Sequence, residues 1–387
     1  MRHKGRQSYS VLTVNGRIRL LRIRWHDREE GSQTPVDTWL DEAESTISQG
    51  VREMACRLNQ GSTSFQKTSE NLARAAHIEI SKEQLRQVIE AEGKSVVGKM
   101  RRGELTPSWS AEDCRTEDGT TRVYLGCDGV KVPLVTDEEK RKRRSKIREK
   151  RSRRGRKCKP LPRLKRGADQ SYKEFRIAVL YDEFQKYRYV SGISGNHEAT
   201  GRMMRRMGLE INLANADQKI ANVDGAPWIR NQIELHGLVD AVGLDYFHLR
   251  DNAQKSRRIV FGEESEQGKQ WADALMSTFY TEGYDQAWDQ VADWRRSQRG
   301  KKREEASRLL NYITERKEMI RYPEFRQKGW QIGSGPTEAQ CKTSTSRLKG
   351  RGRRWDNDNA EAIMALECLE SSHAWANYWA TPDPERN

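Results

Sequence analysis

The chain has 387 residues, 71 of them Lys or Arg and 56 Asp or Glu, for a formal charge of +15. That length suits two or three domains with a real core. Apolar residues make up 35%, and no uninterrupted apolar run nears the ~18 residues of a membrane span, which argues against a membrane protein. The N-terminal MRHKGRQSYS carries no apolar signal core. Six cysteines (Cys56, Cys114, Cys127, Cys158, Cys341, Cys368) stand far apart with no CxxC pair. They read as reduced thiols of a cytoplasmic protein, neither a disulfide framework nor a zinc knuckle. Eleven tryptophans argue against a mostly disordered chain.

In chain order, SYSVLTV and RIRLLRIRW flank Asn15-Gly16, the signal for a tight hairpin turn, so residues 1–35 are expected to form a hairpin. Helical periodicity follows from Trp39, Leu40, Ala43, Ile47 and Val51 to about Leu58. A second helix is expected over residues 64–76. A third opens at Ser81 with a capping-box Gln84. Residues 36–95 thus read as a helical unit compatible with helix-turn-helix DNA binding, although paired short helices also occur in domains that never touch DNA. Residues 96–120 are polar and read as a linker.

Strand candidates then cover residues 123–135, 175–182 and 187–194. They are followed by a helix over 198–207, a strand ending at Asp224, a helix over 228–238 and a strand over 244–249. This is an α/β pattern with a mixed sheet. Residues 250–330 read as an all-helical insertion, a helix opens at Gly335-Pro336, another spans 360–369, and residues 371–387 form a tail.

The positive charge is concentrated between the first two sheet strands. Residues 140–166 hold 17 basic residues and one acid, Glu149, a net of +16, so the other 360 residues sum to −1. This run, within an insertion placed at 137–168, has no apolar periodicity and reads as disordered or transiently helical until it meets a polyanion. A carboxylate inside an apolar strand is costly unless neutralised, which draws attention to Asp128. Asp224 ends a later strand, and Glu338 sits in a helical first turn, where the dipole favours an acid. Magnesium would neutralise such groups; Asp-Gly turns and acids at helix N-termini are equally ordinary structure. Spacing alone leaves both readings open.

The stretch IGSGPTEAQCKTSTSRLKGRGRRWDNDNAEAIMALE (residues 332–367) resembles the C-terminal catalytic block of bacterial insertion-sequence DDE transposases of the Kra-type group, relatives of Mutator-like and ISL-type elements. YLGCDGVKVP, ANVDGAPWI and Asp245-Tyr-Phe-His248 resemble the strands of that family's two aspartates and its aspartate-x-x-histidine motif, in the same order over about residues 120–370. The cysteine pair that many members carry near the N-terminus is replaced here by Trp25-His-Asp-Arg-Glu-Glu-Gly-Ser ahead of Pro35-Val-Asp37.

The resemblance implies an RNase H-like catalytic domain over residues 121–370. Asp128, Asp224 and Glu338 would be metal ligands for two Mg2+ ions, replaceable by Mn2+, with His248 either contacting the scissile phosphate or hydrogen-bonding a metal-ligand carboxylate. The implied activity is DNA strand cleavage and strand transfer at element ends. Lys342, Arg347, Lys349, Arg351, Arg353, Arg354 and Trp355 would contact DNA, the partner being double-stranded terminal-repeat and target DNA bound by a homodimer or larger assembly. Two competing expectations are an RNase H-like endonuclease without joining and a non-catalytic helix-turn-helix regulator. The regulator explains the charge but not the three acids.

Overall fold

The computed structural model describes residues 1–29, 31–34, 46–155 and 159–380. Two sheets and a large helical complement make an α/β protein. The first sheet contains β1 (Arg2–Thr13), β2 (Gly16–Asp27) and β3 (Gly31–Gln33) in that order, antiparallel throughout. The hairpin turns one residue earlier than Asn15-Gly16 suggests: Thr13 pairs with Gly16, and Val14-Asn15 occupy the bend. Thr13 holds the bend by donating its Oγ1 to the Gly16 carbonyl at 2.8 Å and accepting from the Asn15 N–H at 3.2 Å.

Three helices follow, α1 (Gln49–Gln60), α2 (Phe65–Ala76) and α3 (Lys82–Arg102). Trp39, Leu40, Ala43 and the Pro35–Asp37 stretch lie outside the described residues. Ser81 caps α3 by accepting the Gln84 N–H at 3.3 Å, the first half of the expected box. The helix then runs on into the stretch read as linker, as far as Arg102, because Val96 and Met100 continue its buried stripe.

The second sheet has the order β6-β5-β4-β7-β8, with β4 (Arg122–Pro133), β5 (Tyr172–Asp182), β6 (Arg188–Ile193), β7 (Gln218–Val223) and β8 (Ala241–Leu244). β4, β5 and β6 are antiparallel neighbours, whereas β7 and β8 run parallel to β4. The central strand β4 is buried almost from end to end, as a strand covered on both faces must be.

Between β4 and β5 the first part of the basic run takes the helical one of its two expected states: α4 (Asp137–Arg153) is a helix that buries no side chain. A full capping box starts it, with Thr136 and Glu139 each accepting from the other's N–H. Three acids in its first turn and Lys150, Arg151 and Arg153 in its last complement the dipole. The returning strand of chain lies along it, with Arg144 donating to the Pro162 carbonyl and Arg151 to that of Lys159, both at 2.6 Å.

The sheet is completed by α5 (His197–Glu210) and α6 (Pro227–His236). The stretch expected as a strand over 244–249 divides instead: β8 ends at Leu244, Asp245 caps, and α7 (Tyr246–Phe261) begins. The helices α8 (Glu266–Thr281), α9 (Tyr284–Ser297), α10 (Gly300–Thr314) and α11 (Tyr322–Gln327) follow; Phe261 of α7, Trp271 of α8 and Trp294 of α9 stack together, the Trp271 and Trp294 ring centroids 4.0 Å apart. Then come α12 (Gly335–Ser346), α13 (Asn357–Ser371) and α14 (Trp375–Trp379).

The N-terminal helices are not a detached unit. One continuous core runs from Leu12 and Val51 through β4 and β5 to α13. α3 crosses α13 so closely at Gly93 that a Cβ there would lie 2.4 Å from the Ala362 carbonyl oxygen. The tail read from residue 371 also docks, since Tyr378 donates to Glu92 at 2.7 Å and Trp375 to Glu53 at 2.7 Å. Five cysteines among the described residues are buried free thiols, and Cys158 lies outside them. No helix among the described residues is long and apolar enough to cross a membrane.

Candidate active site

In an open sheet of this kind, ligands meet the carboxyl ends of the parallel strands. β4, β7 and β8 each deliver an acid there: Asp128 within β4, Asp224 directly after β7, and Asp245 directly after β8. Asp128 is half-buried and accepts the Gly129 N–H at 2.6 Å. Two residues earlier, on the same face of the strand, Gly126 leaves room for α12. A Cβ on Gly126 would lie 1.7 Å from Thr337 Oγ1, so only glycine lets the helix of Glu338 settle over the strand of Asp128.

Asp224 closes a turn by accepting the Ala226 N–H at 2.8 Å. Gly225 follows at φ +80°, and a Cβ there would lie 2.7 Å from both Arg316 Nε and Leu244 Cδ1. Position 225 therefore needs glycine for its backbone and for its neighbours. Pro227 then opens α6, as proline does at a first helical position.

Asp245, only 1% exposed, joins the remaining pieces. Its Oδ1 accepts the His248 N–H at 2.8 Å, capping α7, and its Oδ2 accepts the Ser334 N–H at the start of the α12 turn. Its own N–H donates to the Val223 carbonyl at 2.8 Å, and the Tyr246 N–H donates to Ile332 at 2.9 Å. Asp245 thus ties β7 through its backbone N–H, and the helices of His248 and Glu338 through its buried carboxylate. His248, expected at a strand end, stands in the first turn of α7 with Nε2 4.0 Å from Glu338 Oε1. On the other side of Glu338, Lys342 Nζ lies 3.6 Å from Oε2.

The electrostatics register the convergence. Burial raises the Asp128 carboxyl above its ordinary value; the Gly129 hydrogen bond opposes that, Asp224 and Glu338 add to it, and His248 offsets part. Asp128, Asp224, His248 and Glu338 therefore share one electrostatic neighbourhood. Arg176 of β5, paired across the ladder with Gly129, lies 4.7 Å over the ring of Trp228, whose helix follows Asp224.

The basic block expected to contact DNA splits in two. Lys342, Lys349 and Arg351 are exposed. Arg347 is not a surface cation: it is 3% exposed, packed 5.0 Å from the Phe65 ring and 5.4 Å from the Trp355 ring, and it donates to Asn59 Oδ1. Desolvation pushes its pKa down to about 10. Trp355 is buried too, donating from Nε1 to the Leu348 carbonyl at 3.1 Å, and it forms a parallel bridge with Leu134 just beyond β4. Arg353 donates to the Arg347 carbonyl at 2.8 Å, while Arg354 pairs with Glu139 at 3.0 Å and donates to Leu134. These four fasten the segment after α12 to the end of β4 and to α2. Apolar packing turns Arg347 and Trp355 inward, whereas Arg353 and Arg354 stay partly exposed and are held by backbone carbonyls and Glu139.

Sequence reasoning missed the Gly126–Thr337 contact, the tether at Asp245 and the Arg176–Trp228 pair. An arginine within the apolar run FRIAVLYD and an aspartate three residues before a histidine were the available signals.

The donors at the site are carboxylate oxygens and one imidazole, chemistry suited to a hard divalent cation. Among the described residues no three His, Cys, Asp or Glu side chains close into a ready-made metal shell. Magnesium needs only one or two protein carboxylates, its remaining positions going to water and substrate phosphate oxygens. Asp128, Asp224 and Glu338 are oxygen donors of that class, and Asp128 lies half-buried.

No family model and no curated protein sequence matches the chain. Among solved structures, it is similar to the Drosophila P element transposase strand transfer complex at 8% identity and a TM-score of 0.31, over 88% of this chain and 83% of that one.

Proposed function

We propose that the protein is a metal-dependent DDE-type transposase with an RNase H-like catalytic domain, of the Kra-type group that residues 332–367 resemble. It would cleave and rejoin duplex DNA at the ends of its element, working as a homodimer or larger assembly. What supports this reading is that Asp128 and Asp224 stand within and directly after neighbouring parallel strands of a sheet ordered β6-β5-β4-β7-β8, that the Asp128 carboxyl feels Asp224, His248 and Glu338, and that His248 Nε2 lies 4.0 Å from Glu338 Oε1. Asp128, Asp224 and Glu338 would hold Mg2+, or Mn2+ in its place. When bound, a metal pair activates the attacking hydroxyl and stabilises the leaving 3′-oxygen of a phosphodiester. His248 orients Glu338 or contacts the phosphate, and Lys342 offsets the Glu338 charge until DNA arrives. Lys349 and Arg351, exposed beyond α12, supply positive charge for the duplex backbone.

The test is Mg2+-dependent nicking of duplex DNA carrying the element end. Asp128→Asn, Asp224→Asn and Glu338→Gln are each expected to abolish nicking while DNA affinity survives. Nicking retained in any of them removes that residue from the site. Nicking without a joined product would leave an endonuclease, and binding without nicking a regulator.

A further inference from the structure

We infer that the N-terminal β-ribbon is a second duplex-DNA contact, separate from the carboxylate site and shaped to enter a major groove. The inference takes the ligand class, duplex DNA, from the proposed function but rests on different residues.

β1 and β2 are each 12 residues long, a ribbon of about 40 Å at ~3.4 Å per residue. It is fastened at its turn end: Val11 and Leu12 are buried, the Leu12 N–H donates to Thr46 and the Ser48 N–H to the Leu12 carbonyl, both at 2.9 Å. The opposite end, with Arg2 to Ser8 of β1 and Leu21 to Arg24 of β2, extends away from that anchor. There Arg2, His3, Lys4, Arg6, Gln7, Ser8, Leu21, Ile23 and Arg24 are exposed, so side chains of both faces reach solvent. β3 joins this end only at Trp25–Asp27, so the exposed side chains of residues 2–8 and 21–24 stand on a stretch that is mainly two-stranded among the described residues.

Charge says which partner. Residues 1–29 carry eight Lys or Arg and two acids, Asp27 and Glu29. Lys4, Arg6 and Arg24 line one concave surface together with Gln7, His26 and Ser32. The α2 and α3 surfaces, by contrast, mix their charges: Arg86 is tied to Glu83 and Glu90, and Lys67 lies 3.7 Å from Glu70. A B-form major groove, about 12 Å wide, admits a two-stranded ribbon, and the cations would meet the phosphates along its walls.

The experiment compares the full chain with Lys4→Ala/Arg6→Ala/Arg24→Ala by fluorescence anisotropy on a 40-base-pair duplex across a salt series. Methylation interference at guanine N7 is read in parallel, with sedimentation of the free proteins. Three lost phosphate contacts should reduce the log–log salt slope by about 2.7 and weaken binding at least about 50-fold near 0.1 M salt. The wild type should show N7 interference that the variant lacks. Unchanged affinity and slope would overturn the inference. So would a variant whose only change is weaker self-association, which would make the ribbon a contact between copies, and so would binding lost without any N7 interference in the wild type. Glu338→Gln, assayed beside it, separates the two readings: nicking kept by that variant defeats the catalytic proposal alone, and unaltered binding by the ribbon variant defeats this one alone.

Discussion

Asp245 offers the sharpest test of how the site is held together. Its two carboxylate oxygens accept the backbone N–H groups of His248 and Ser334 in a place only 1% exposed, so Asp245→Ala strands both donors without water. A hydrogen bond to a charged group contributes roughly 1.5–3 kcal/mol, and truncating an N-cap aspartate costs about 0.5–2 kcal/mol. Together these place the loss at about 2–5 kcal/mol. Asp245→Asn separates the arms. Asparagine caps a helix as well as aspartate does, so the His248 N–H keeps its acceptor, but an amide NH2 facing the Ser334 N–H loses one bond, about 1.5–3 kcal/mol. Urea unfolding followed by tryptophan fluorescence measures both. Nicking should fall further than stability does, by about 100-fold for a displacement of order 1 Å, with DNA affinity unchanged. If Asp245→Ala costs under about 1 kcal/mol, or if it nicks at the wild-type rate, the tether between α7 and α12 does not position the site.

Gly126→Ala sets a Cβ 1.7 Å from Thr337 Oγ1 and must lift α12; overpacking of this kind costs about 1–3 kcal/mol, and nicking should be lost in a variant that still folds and binds DNA. Burial pushes the Glu367 carboxyl from 4.5 to about 7. A carboxyl raised by folding favours the native state below its unfolded value, and that contribution disappears as pH climbs from about 4.5 to 7. Glu367→Gln should therefore flatten the pH–stability profile across that window and, above pH 7, exceed the wild type by about 3 kcal/mol in denaturant unfolding. Replacing residues 141–164 by a short Gly-Ser link removes the exposed shaft of α4, which buries nothing. Stability should move by less than about 0.5 kcal/mol, while the salt slope of DNA binding should drop by several units, as isothermal titration across salt would show.

The parts of this molecule legible in its sequence are those fixed by local chemistry. Ser81 and Gln84 mark the start of α3, the turn after Asp224 follows from its Gly-Ala-Pro, and the strands of FRIAVLYD and YRYVSGIS follow from composition. The errors share one physical source, contacts between residues far apart in the chain. The 244–249 stretch reads as a strand by its apolar letters, yet Asp245 caps a helix because Val223 and Ser334 lie where its N–H and carboxylate can reach them. The basic run reads as disordered or transiently helical by its lack of apolar periodicity, and beyond its local capping box it is the returning chain at Pro162 that lies against α4. Arg347 reads as a phosphate ligand beside Lys349, and only the arrival of Phe65 from α2 makes it a buried cation.

Those long-range contacts meet on β4, and this gives the charge distribution a mechanical sense. Asp128 lies within that strand; five residues on, Pro133 ends it. Trp355 then bridges Leu134, and Thr136 bridges Ala168 to close the root of α4. Lys140 at that root pairs with Asp356 at 2.7 Å, and Arg354 with Glu139 at 3.0 Å, so the arm is pinned to the chain that follows α12. A polyanion drawn to the arm is thus referred to the same strand that presents Asp128, and through Trp355 to the segment that follows the helix of Glu338. A flexible basic tail would raise the local concentration of DNA without fixing its register. Under the proposed function, an arm whose root is bolted to the strand of Asp128 and to the chain after α12 would do both, because phosphate contacts position a duplex even though they do not read it.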